Sequence, residues 1–166
     1  MSKSPLIHTI GHSDHTTAAL VDLVSRHGTT LVVDVRSQPY SRWAHQFNRA
    51  ILARDLQAEG IAYGFMGDVL GGRPSDPALY DRGEERPNYQ RVEQLASYQA
   101  GIDQLLELAR AEQVTVMCSE GNHRGCHRHL LIAQTLLERH IRVLHIQPDG
   151  TTVEAAQEPR QLSLFE

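Results

Sequence analysis

Cysteine is scarce in this chain of 166 residues, which contains only Cys118 and Cys126. Two cysteines without an export signal favour a reducing cytoplasm, where a structural disulfide is not expected. Long apolar runs are also missing: no stretch reaches the length of a membrane span, and the first residues lack the apolar core of a signal peptide. We therefore predict a cytoplasmic protein without a membrane partner.

An excess of positive charge is missing as well. The chain has 16 lysines and arginines against 20 aspartates and glutamates, a formal net charge of −4 at pH 7. This balance argues against a surface coated with basic residues but leaves room for a local basic pocket that binds a phosphate. The apolar and charged fractions, 40% and 22%, are those of an ordinary globular protein. The length suits one domain with a proper core.

Strands and helices alternate along the chain. Apolar or β-branched runs predict strands at residues 6–10, 30–35, 61–66, 114–116 and 141–146. Helical spacing predicts a helix that begins at Thr16 or Thr17 and ends at Gly28, and others over residues 48–59, 89–111 and 127–140. Residues 38–47 and 67–87 are predicted loops. The pattern predicts a single α/β domain over residues 1–150, with a mostly parallel sheet flanked by helices on both faces in a Rossmann-like three-layer arrangement.

Chemically useful residues cluster where the predicted strands end. Ligands of parallel sheets collect outside the carboxyl ends of the strands. The clusters are His12 and Ser13; Asp34, Arg36 and Ser37; Gly67, Asp68, Gly71 and Gly72; and the loop over residues 118–128. In that loop a strand, a glycine turn and a helix start form a natural pocket for an anion, because the first N–H groups of a helix lack internal partners.

Cys118 is the candidate nucleophile of this loop. Backbone N–H groups and the positive end of a helix lower the pKa of a thiol and cradle an oxyanion. We predict Cys118, Glu120, Asp34 and His12 as catalytic residues, with Glu120 as an acid or base. The predicted substrate-binding residues are Ser13, Arg36, Gly71, Gly72, Arg124, His127 and Arg128.

Each of these interpretations has a structural alternative. Cys118 could be a small buried residue at a strand end. Glu120 could pair with Arg124 or Arg128, and Asp34 with Arg36. No cofactor is expected, although thiolate and imidazole ligands suit zinc, and Cys118, Cys126 and His127 could supply them, with Glu120 or His12. Trp43 and Phe47 could stack on a base or pack their loop onto the core.

Two loop resemblances suggest a cysteine enzyme. The segment from Cys118 to Arg124, with five residues between them, resembles the active loops of cysteine-dependent phosphatases and of rhodaneses. The run LVVDVRSQPYSRWAH, at residues 31–45, is similar to the Asp-Val-Arg strand of rhodanese-like domains. These resemblances imply that Cys118 carries phosphate or sulfur and that Arg124 binds the anion.

Several ordered motifs resemble the bacterial family called domain of unknown function 488. They are TIGHS at residues 9–13, DVR at 34–36 with Pro39 and Ser41, GIAY at 60–63, LGG at 70–72, MCSE at 117–120 and CHR at 126–128. The resemblance extends from about Ile7 to Ile146. It implies a pocket formed by His12, Ser13, Asp34, Arg36, Gly71, Gly72, Cys118, Glu120, Cys126, His127 and Arg128. The family pattern does not include an arginine at the position of Arg124, which makes Arg128 the better anion-binding candidate.

The composition changes after Gly150, and residues 151–166 are predicted to form a flexible tail with a linker at residues 158–160. The end, QLSLF, resembles the peptide by which bacterial DNA polymerases and repair proteins dock on the replication sliding clamp. Its five predicted partner-binding residues are Gln161, Leu162, Ser163, Leu164 and Phe165. Apolar side chains would enter a pocket while Gln161 bonds at its rim. Alternatively, Leu164 and Phe165 pack on their own domain.

These features predict a DNA-maintenance enzyme that the sliding clamp recruits and that acts on DNA or a nucleotide in the Cys/His/Arg pocket. The acidic net charge suggests that the clamp, rather than the protein's own surface, supplies DNA affinity. The alternatives are a cysteine-dependent sulfurtransferase or phosphatase and a non-catalytic adaptor of the clamp.

Overall fold

A six-stranded sheet runs through the centre of the computed structural model, which describes residues 5–159. The strands are β1 (Leu6–Gly11), β2 (Leu31–Asp34), β3 (Ala62–Phe65), β4 (Val114–Cys118), β5 (Arg142–Ile146) and β6 (Thr152–Glu154). Their order across the sheet is β3-β2-β4-β1-β5-β6. All neighbouring pairs are parallel except β5 and β6, which are antiparallel. The predicted mostly parallel sheet is therefore confirmed.

Within residues 5–159, six α-helices cover the sheet: α1 (Thr17–Arg26), α2 (Arg49–Ala58), α3 (Gly67–Leu70), α4 (Tyr89–Glu93), α5 (Ala96–Ala111) and α6 (Gln134–Glu138). A π-helical segment, Arg128–Ala133, leads directly into α6. Thr16 caps α1, because its Oγ1 accepts a hydrogen bond from the Ala19 N–H at 3.1 Å. The sequence predicted that this helix begins at Thr16 or Thr17.

Two apolar clusters show that both faces of the sheet are covered. On one face, Leu20, Leu23 and Val24 of α1 pack with Leu52 and Leu56 of α2. On the other face the cluster contains residues of α3 to α6 and of the π-helical segment. The central strands β2 and β4 are buried at every position, as expected of strands with helices on both sides. The predicted three-layer α/β fold is confirmed.

The structure differs from the predicted helices at two places. The predicted helix over residues 89–111 is divided into α4 and α5, because Leu95 has an extended backbone (φ −69°, ψ 130°) and packs against the core between them. The predicted loop over residues 67–87 begins with α3 and contains a short 3-10 turn, Pro77–Leu79, which Asp76 caps.

The predicted tail begins with an ordered segment. β6 pairs with β5 and forms one edge of the sheet, and the Glu158 N–H donates to Oε1 of Gln134 at 2.9 Å. Residues up to Pro159 therefore lie along the domain. The predicted clamp-binding peptide, residues 161–165, lies outside the described residues.

Strands β2 and β4 lie side by side, but their outgoing connections diverge. β2 leads through α2 to β3 on one side, whereas β4 leads through α6 to β5 on the other. Such a switch in direction leaves a crevice at the carboxyl ends of the two strands, which is the usual ligand position in open α/β sheets. Among residues 5–159, no helix has the length and apolar composition needed to cross a bilayer.

Candidate functional site

A cleft of about 870 Å³ opens at this switch point. It is lined by residues that follow β1, β2 and β4 and by the loop between α3 and α4. Of the residues predicted from the sequence, the cleft brings together His12, Arg36, Gly72, Cys118, Glu120, Cys126 and His127. These residues come from four separate segments, so the predicted convergence at the carboxyl edge is observed.

The two cysteines lie against each other at this cleft. Cys118 ends β4, and Cys126 follows the 3-10 turn His123–Gly125. Their Sγ atoms are 2.8 Å apart and both side chains are buried thiols that are not joined in a disulfide. The two sulfurs are therefore joined by a hydrogen bond, in which one donates and the other accepts.

Arg128 favours the negative charge on the sulfur of Cys118. Its Nε–H donates to Cys118 Sγ at 3.1 Å, and the side chain is completely buried. Although burial raises the pKa of Cys118, the hydrogen bond from Cys126 and the positive charge of Arg128 lower it below its ordinary value. The same contact with Cys118, together with burial, raises the pKa of Cys126. These effects favour the thiolate on Cys118 and the thiol on Cys126.

The predicted role of Arg128 in binding a substrate anion does not fit its position. Besides Cys118, its guanidinium donates to Thr9 Oγ1 at 2.8 Å and to the carbonyl oxygens of Glu120 and Gly121 at 3.0 and 3.1 Å. These bonds fix the Cys118 loop from beneath and leave the side chain inaccessible. Arg124, the other predicted anion ligand, is exposed on the 3-10 turn and does not line the cleft.

Asp34 is also withdrawn from the cleft. It is completely buried and accepts two side-chain bonds from Arg36, at 2.9 and 2.8 Å, and one from the Tyr63 hydroxyl at 2.6 Å. Its carboxylate oxygens are therefore occupied, and the predicted catalytic role is replaced by the ion pair that the sequence offered as the alternative.

Arg36 is the arginine that the buried pair presents to the cleft. Its Nη2 donates to Asp34 and to the carbonyl oxygen of Phe47 at 2.7 Å, and its Nε to Asp34. Its Nη1 has no acceptor within the described part of the chain. Because Arg36 lines the cleft, Nη1 is the nitrogen left for a ligand.

His12 lines the cleft as a neutral imidazole. Its Nδ1–H donates to the Ser13 carbonyl oxygen at 2.8 Å, so the lone pair lies on Nε2. The ring stacks on Phe47 with centroids 4.5 Å apart, and burial lowers the pKa of His12. Ser13 has a left-handed backbone (φ 47°), donates its N–H to the Ser119 carbonyl and does not line the cleft.

His127 and the two glycines fit together on the opposite side. The His127 Nε2–H donates to the Val35 carbonyl oxygen at 3.1 Å, and burial lowers the pKa of His127 to about 4. A Cβ at Gly72 would lie 2.7 Å from the His127 ring, and one at Gly71 would lie 2.3 Å from the Ser37 Oγ and from the Gly67 carbonyl oxygen. Both glycines are needed for close packing, and Gly72 also lines the cleft.

Glu120 lines the cleft with an exposed side chain. The ion pairs of the described residues do not include it, so the predicted pairing with Arg124 or Arg128 is not seen. Arg128 contacts only its backbone carbonyl oxygen. The Glu120 carboxylate is therefore accessible from the cleft.

The charged residues of the loop between α3 and α4 were missed from the sequence. Arg73 and Arg86 line the cleft, as do Glu84 and Glu85. Arg86 donates to the Gly125 carbonyl oxygen at 3.2 Å, and the Arg73 N–H donates to Ser37 Oγ at 2.8 Å. The only available signal was the charge of a long glycine-rich loop, which does not indicate where the loop folds.

The predicted zinc ligands are not arranged as a metal site. Within residues 5–159, no group of three or more histidine, cysteine, aspartate or glutamate side chains is placed to share a metal ion. The 2.8 Å between Cys118 and Cys126 is also short, because two thiolates on a tetrahedral zinc lie about 3.8 Å apart.

Trp43 and Phe47, two aromatic residues that the sequence offered for base stacking, have different surroundings. Phe47 is completely buried beneath His12, as the core alternative predicted. The Trp43 side chain is 89% exposed, and Tyr40, which lines the cleft, is 67% exposed. The rim of the cleft therefore carries accessible aromatic surface.

A chain of hydrogen bonds leads from Arg128 to the far end of the described chain. Thr9 Oγ1 lies 2.5 Å from His145 Nδ1, His145 Nε2 lies 3.0 Å from His129 Nδ1, and His129 Nε2 lies 2.8 Å from Glu158 Oε1. Both histidines and Thr9 are buried. No feature of the sequence indicated that these five residues meet.

With both imidazoles neutral, the Glu158 carboxylate sets the direction of these bonds. It accepts from His129 Nε2, so each ring accepts at Nδ1, and the Thr9 hydroxyl donates to His145 Nδ1. His145 then donates from Nε2 to His129, which donates from Nε2 to the Glu158 carboxylate. Burial lowers the pKa of His145 to about 2, which keeps its ring neutral.

A protein-family model described as "Domain of unknown function DUF488" matches residues 16–135. This range includes Arg36, Cys118 and Arg128, whereas β1 and His12 lie before it, so the match is shorter than the resemblance that the sequence motifs suggested. No curated protein and no solved structure matches the chain.

Proposed function

The chain belongs to the family of the domain of unknown function DUF488, and we propose that it is an enzyme whose nucleophile is the thiolate of Cys118. One observation carries this proposal: a completely buried guanidinium donates to the sulfur of a cysteine at the cleft. A buried positive charge without a carboxylate partner is costly. A thiolate on Cys118 compensates that cost, so the buried guanidinium favours the ionised form that a nucleophile requires.

Three other side chains have positions that suit the reaction. Cys118 attacks an electrophilic centre of the substrate, and Glu120 protonates the leaving group from the exposed side of the cleft. His12, neutral and with its lone pair on Nε2, accepts the proton of the water that releases the product. Arg128 takes no direct part and holds the sulfur in place.

Three arginines of the cleft support a phosphate-bearing substrate, although the cleft lining also carries Glu84, Glu85 and Glu120. Arg36, Arg73 and Arg86 line it, and the Nη1 of Arg36 has no acceptor in the described part of the chain. Guanidinium groups match phosphate oxygens in charge and geometry. The exposed ring of Tyr40, which lines the cleft, offers stacking surface for a base. We therefore propose DNA or a nucleotide as the substrate.

The sequence QLSLF at residues 161–165 supports a link to DNA through the sliding clamp. The formal net charge of −4 gives the protein little general affinity for DNA, so a docking peptide would provide the proximity. Near the end of the described residues, the Glu158 N–H donates to Gln134 of α6.

The test of the cleft is the rate at which iodoacetamide labels Cys118 in the full-length protein. We expect labelling at pH 7 to be at least about tenfold faster than that of a free cysteine, whose pKa is about 8.5. A single-stranded oligonucleotide or a nucleoside monophosphate should slow it. The variants Arg73→Gln and Arg86→Gln should weaken this protection about tenfold, whereas Arg124→Gln, an exposed arginine outside the cleft, should not.

Other outcomes would support the alternatives. Protection by thiosulfate, together with a persulfide on Cys118, would point to a sulfurtransferase, and release of inorganic phosphate from an aryl phosphate to a phosphatase. Slow labelling that no anion changes would contradict the enzyme proposal and leave the clamp adaptor.

The link to DNA has its own test, which is calorimetric binding of purified sliding clamp. We expect the full-length protein to bind, and a variant that ends at Arg160 not to bind. Leu164→Ala with Phe165→Ala should abolish binding as the truncation does, whereas Ser163→Ala should retain it. Absence of binding by the full-length protein would overturn the recruitment proposal.

A further inference from the structure

Cys118 and Cys126 are the only cysteines of the chain and lie within reach of a covalent bond. Their Sγ atoms are 2.8 Å apart, and a disulfide needs about 2.05 Å. Only a small movement of Cys126 would close the gap. Cys126 sits between a 3-10 turn and the π-helical segment, so it lies on a connection rather than in the sheet.

We propose that Cys126 is the resolving thiol of Cys118, so that a hydroperoxide converts the pair into a reversible disulfide. In the first step, the Cys118 thiolate attacks the terminal peroxide oxygen and the O–O bond breaks. Cys118 becomes a sulfenic acid, and the peroxide leaves as water or an alcohol after taking up a proton. In the second step, Cys126 attacks the oxidised sulfur, the S–O bond breaks, and the hydroxyl leaves with the Cys126 proton as water.

The surroundings of the pair suit this order of events. The cleft gives a small oxidant access to Cys118, whose sulfur is held by Arg128. The contact with the Cys118 thiolate is the largest of the effects that raise the pKa of Cys126. Oxidation of Cys118 removes that negative charge. Arg128 then acts on Cys126 alone, and its charge and backbone N–H both favour the thiolate.

His127 is placed to assist the second step. Its Nδ1 lies 3.7 Å from Cys126 Sγ, and its Nε2–H is already given to the Val35 carbonyl oxygen. The neutral ring therefore presents a lone pair toward the thiol and can pass its proton to the leaving hydroxyl. The disulfide would remove the nucleophile of the cleft until a thiol reductant restores it.

The experiment treats the full-length protein with a small excess of hydrogen peroxide and measures intact mass and free thiols. We expect the loss of two hydrogens and of both thiols, with a Cys118–Cys126 cross-link in the peptide map and full recovery with dithiothreitol. In Cys126→Ser, Cys118 should gain two or three oxygens, and the thiol recovered by dithiothreitol should fall at least about tenfold. In Cys118→Ser, Cys126 should remain reduced.

If a variant does not fold, the peptide map of the peroxide-treated protein without substitutions still tests the proposal. Oxygen added to Cys118 while Cys126 stays a free thiol would overturn the proposal. The readout is the chemical state of the sulfurs and not turnover. Failure here therefore leaves the proposed enzyme activity untouched, and a failure of that activity leaves this reaction measurable.

Discussion

Among single residues, Arg128 differs from the other arginines near the cleft because no part of it reaches solvent. Arg36, Arg73 and Arg86 line the cleft, whereas Arg128 bonds to Cys118, Thr9 and two loop carbonyl oxygens. Its charge thus acts on the sulfur, and its hydrogen bonds act on the shape of the loop. The two effects can be separated by measurement.

We expect Arg128→Lys to keep the charge but lose most of these bonds, because an ammonium cannot reproduce the planar fork of a guanidinium. Arg128→Met removes both. The pH midpoint of Cys118 labelling should rise in Arg128→Met and rise less in Arg128→Lys. The free energy of unfolding should fall in both, by about 2–5 kcal/mol in Arg128→Met, where the Thr9 and carbonyl acceptors lose a buried donor.

The control for this prediction is Arg124→Met, since Arg124 is exposed on the same loop. It should change neither the labelling midpoint nor the urea denaturation curve. An unchanged labelling midpoint in Arg128→Met would show that Arg128 does not hold the thiolate.

At the scale of elements, the end of β1 and the loop after β4 fit together through Gly11. A Cβ at Gly11 would lie 1.7 Å from the Glu120 carbonyl oxygen, which also accepts from Arg128. This contact is between backbone atoms, so no side-chain rotation can relieve it. The strand and the loop must separate to admit a methyl group.

Gly11→Ala should therefore lower the free energy of unfolding by at least about 2 kcal/mol and slow Cys118 labelling, because the loop that carries the thiolate is displaced. Gly64→Ala is the matched control in a strand, since its Cβ would meet only Leu31 Cδ1 at 3.8 Å. Urea denaturation and labelling of both variants test the contact. Equal behaviour of the two alanine variants would contradict it.

The elements that the sequence predicted well are those whose pattern is local. The five parallel strands are short β-branched or apolar runs, and such runs need few distant contacts to be recognised. Helices α4 and α5 were joined in the prediction, because Leu95 fits the apolar helical spacing although its backbone is extended. β6 was missed because its three residues are all exposed and have no alternation.

The sequence indicated where the cleft lies but not which side chains contact one another there. The carboxyl edge of a parallel sheet collects ligands in any such fold, so the position of the cleft at Cys118 followed from the predicted parallel sheet. The role of Arg128 did not, because its partner Thr9 lies 119 residues away in the sequence. Asp34 was misassigned for a related reason: sequence alone does not show that Arg36 and Tyr63 occupy its oxygens.

At the scale of the whole molecule, several histidines are held neutral inside the fold. Burial lowers the pKa of His145 to about 2 and those of His123 and His127 to about 4. His123 and His145 also stack with centroids 4.1 Å apart. In the unfolded chain each would titrate near about 6.5. The unfolded state therefore binds protons first as the pH falls.

We expect the free energy of unfolding to be highest above about pH 6.5 and to fall as the pH decreases toward 4, because the native pKa values lie below the unfolded ones. Each histidine contributes a slope of up to about 1.4 kcal/mol per pH unit in that window. Urea denaturation at a series of pH values measures it. His145→Gln should lower this slope by about the contribution of one histidine. His45→Gln, a control at an exposed position, should leave the slope unchanged. A native slope of zero between pH 4 and 6.5 would refute this account.

The hydrogen-bond chain from Arg128 to Glu158 has ends of opposite and fixed character. The chain ends at Arg128, and a guanidinium has no lone pair that could take up a proton. A Grotthuss relay requires an acceptor at its end, and this chain is therefore no conduit for protons to Cys118. It behaves as a strut: it fixes the position of the arginine beneath Cys118 against a residue near the end of the described chain. The far side of the fold therefore fixes the position of Arg128 beside the Cys118 sulfur and supplies no proton to it.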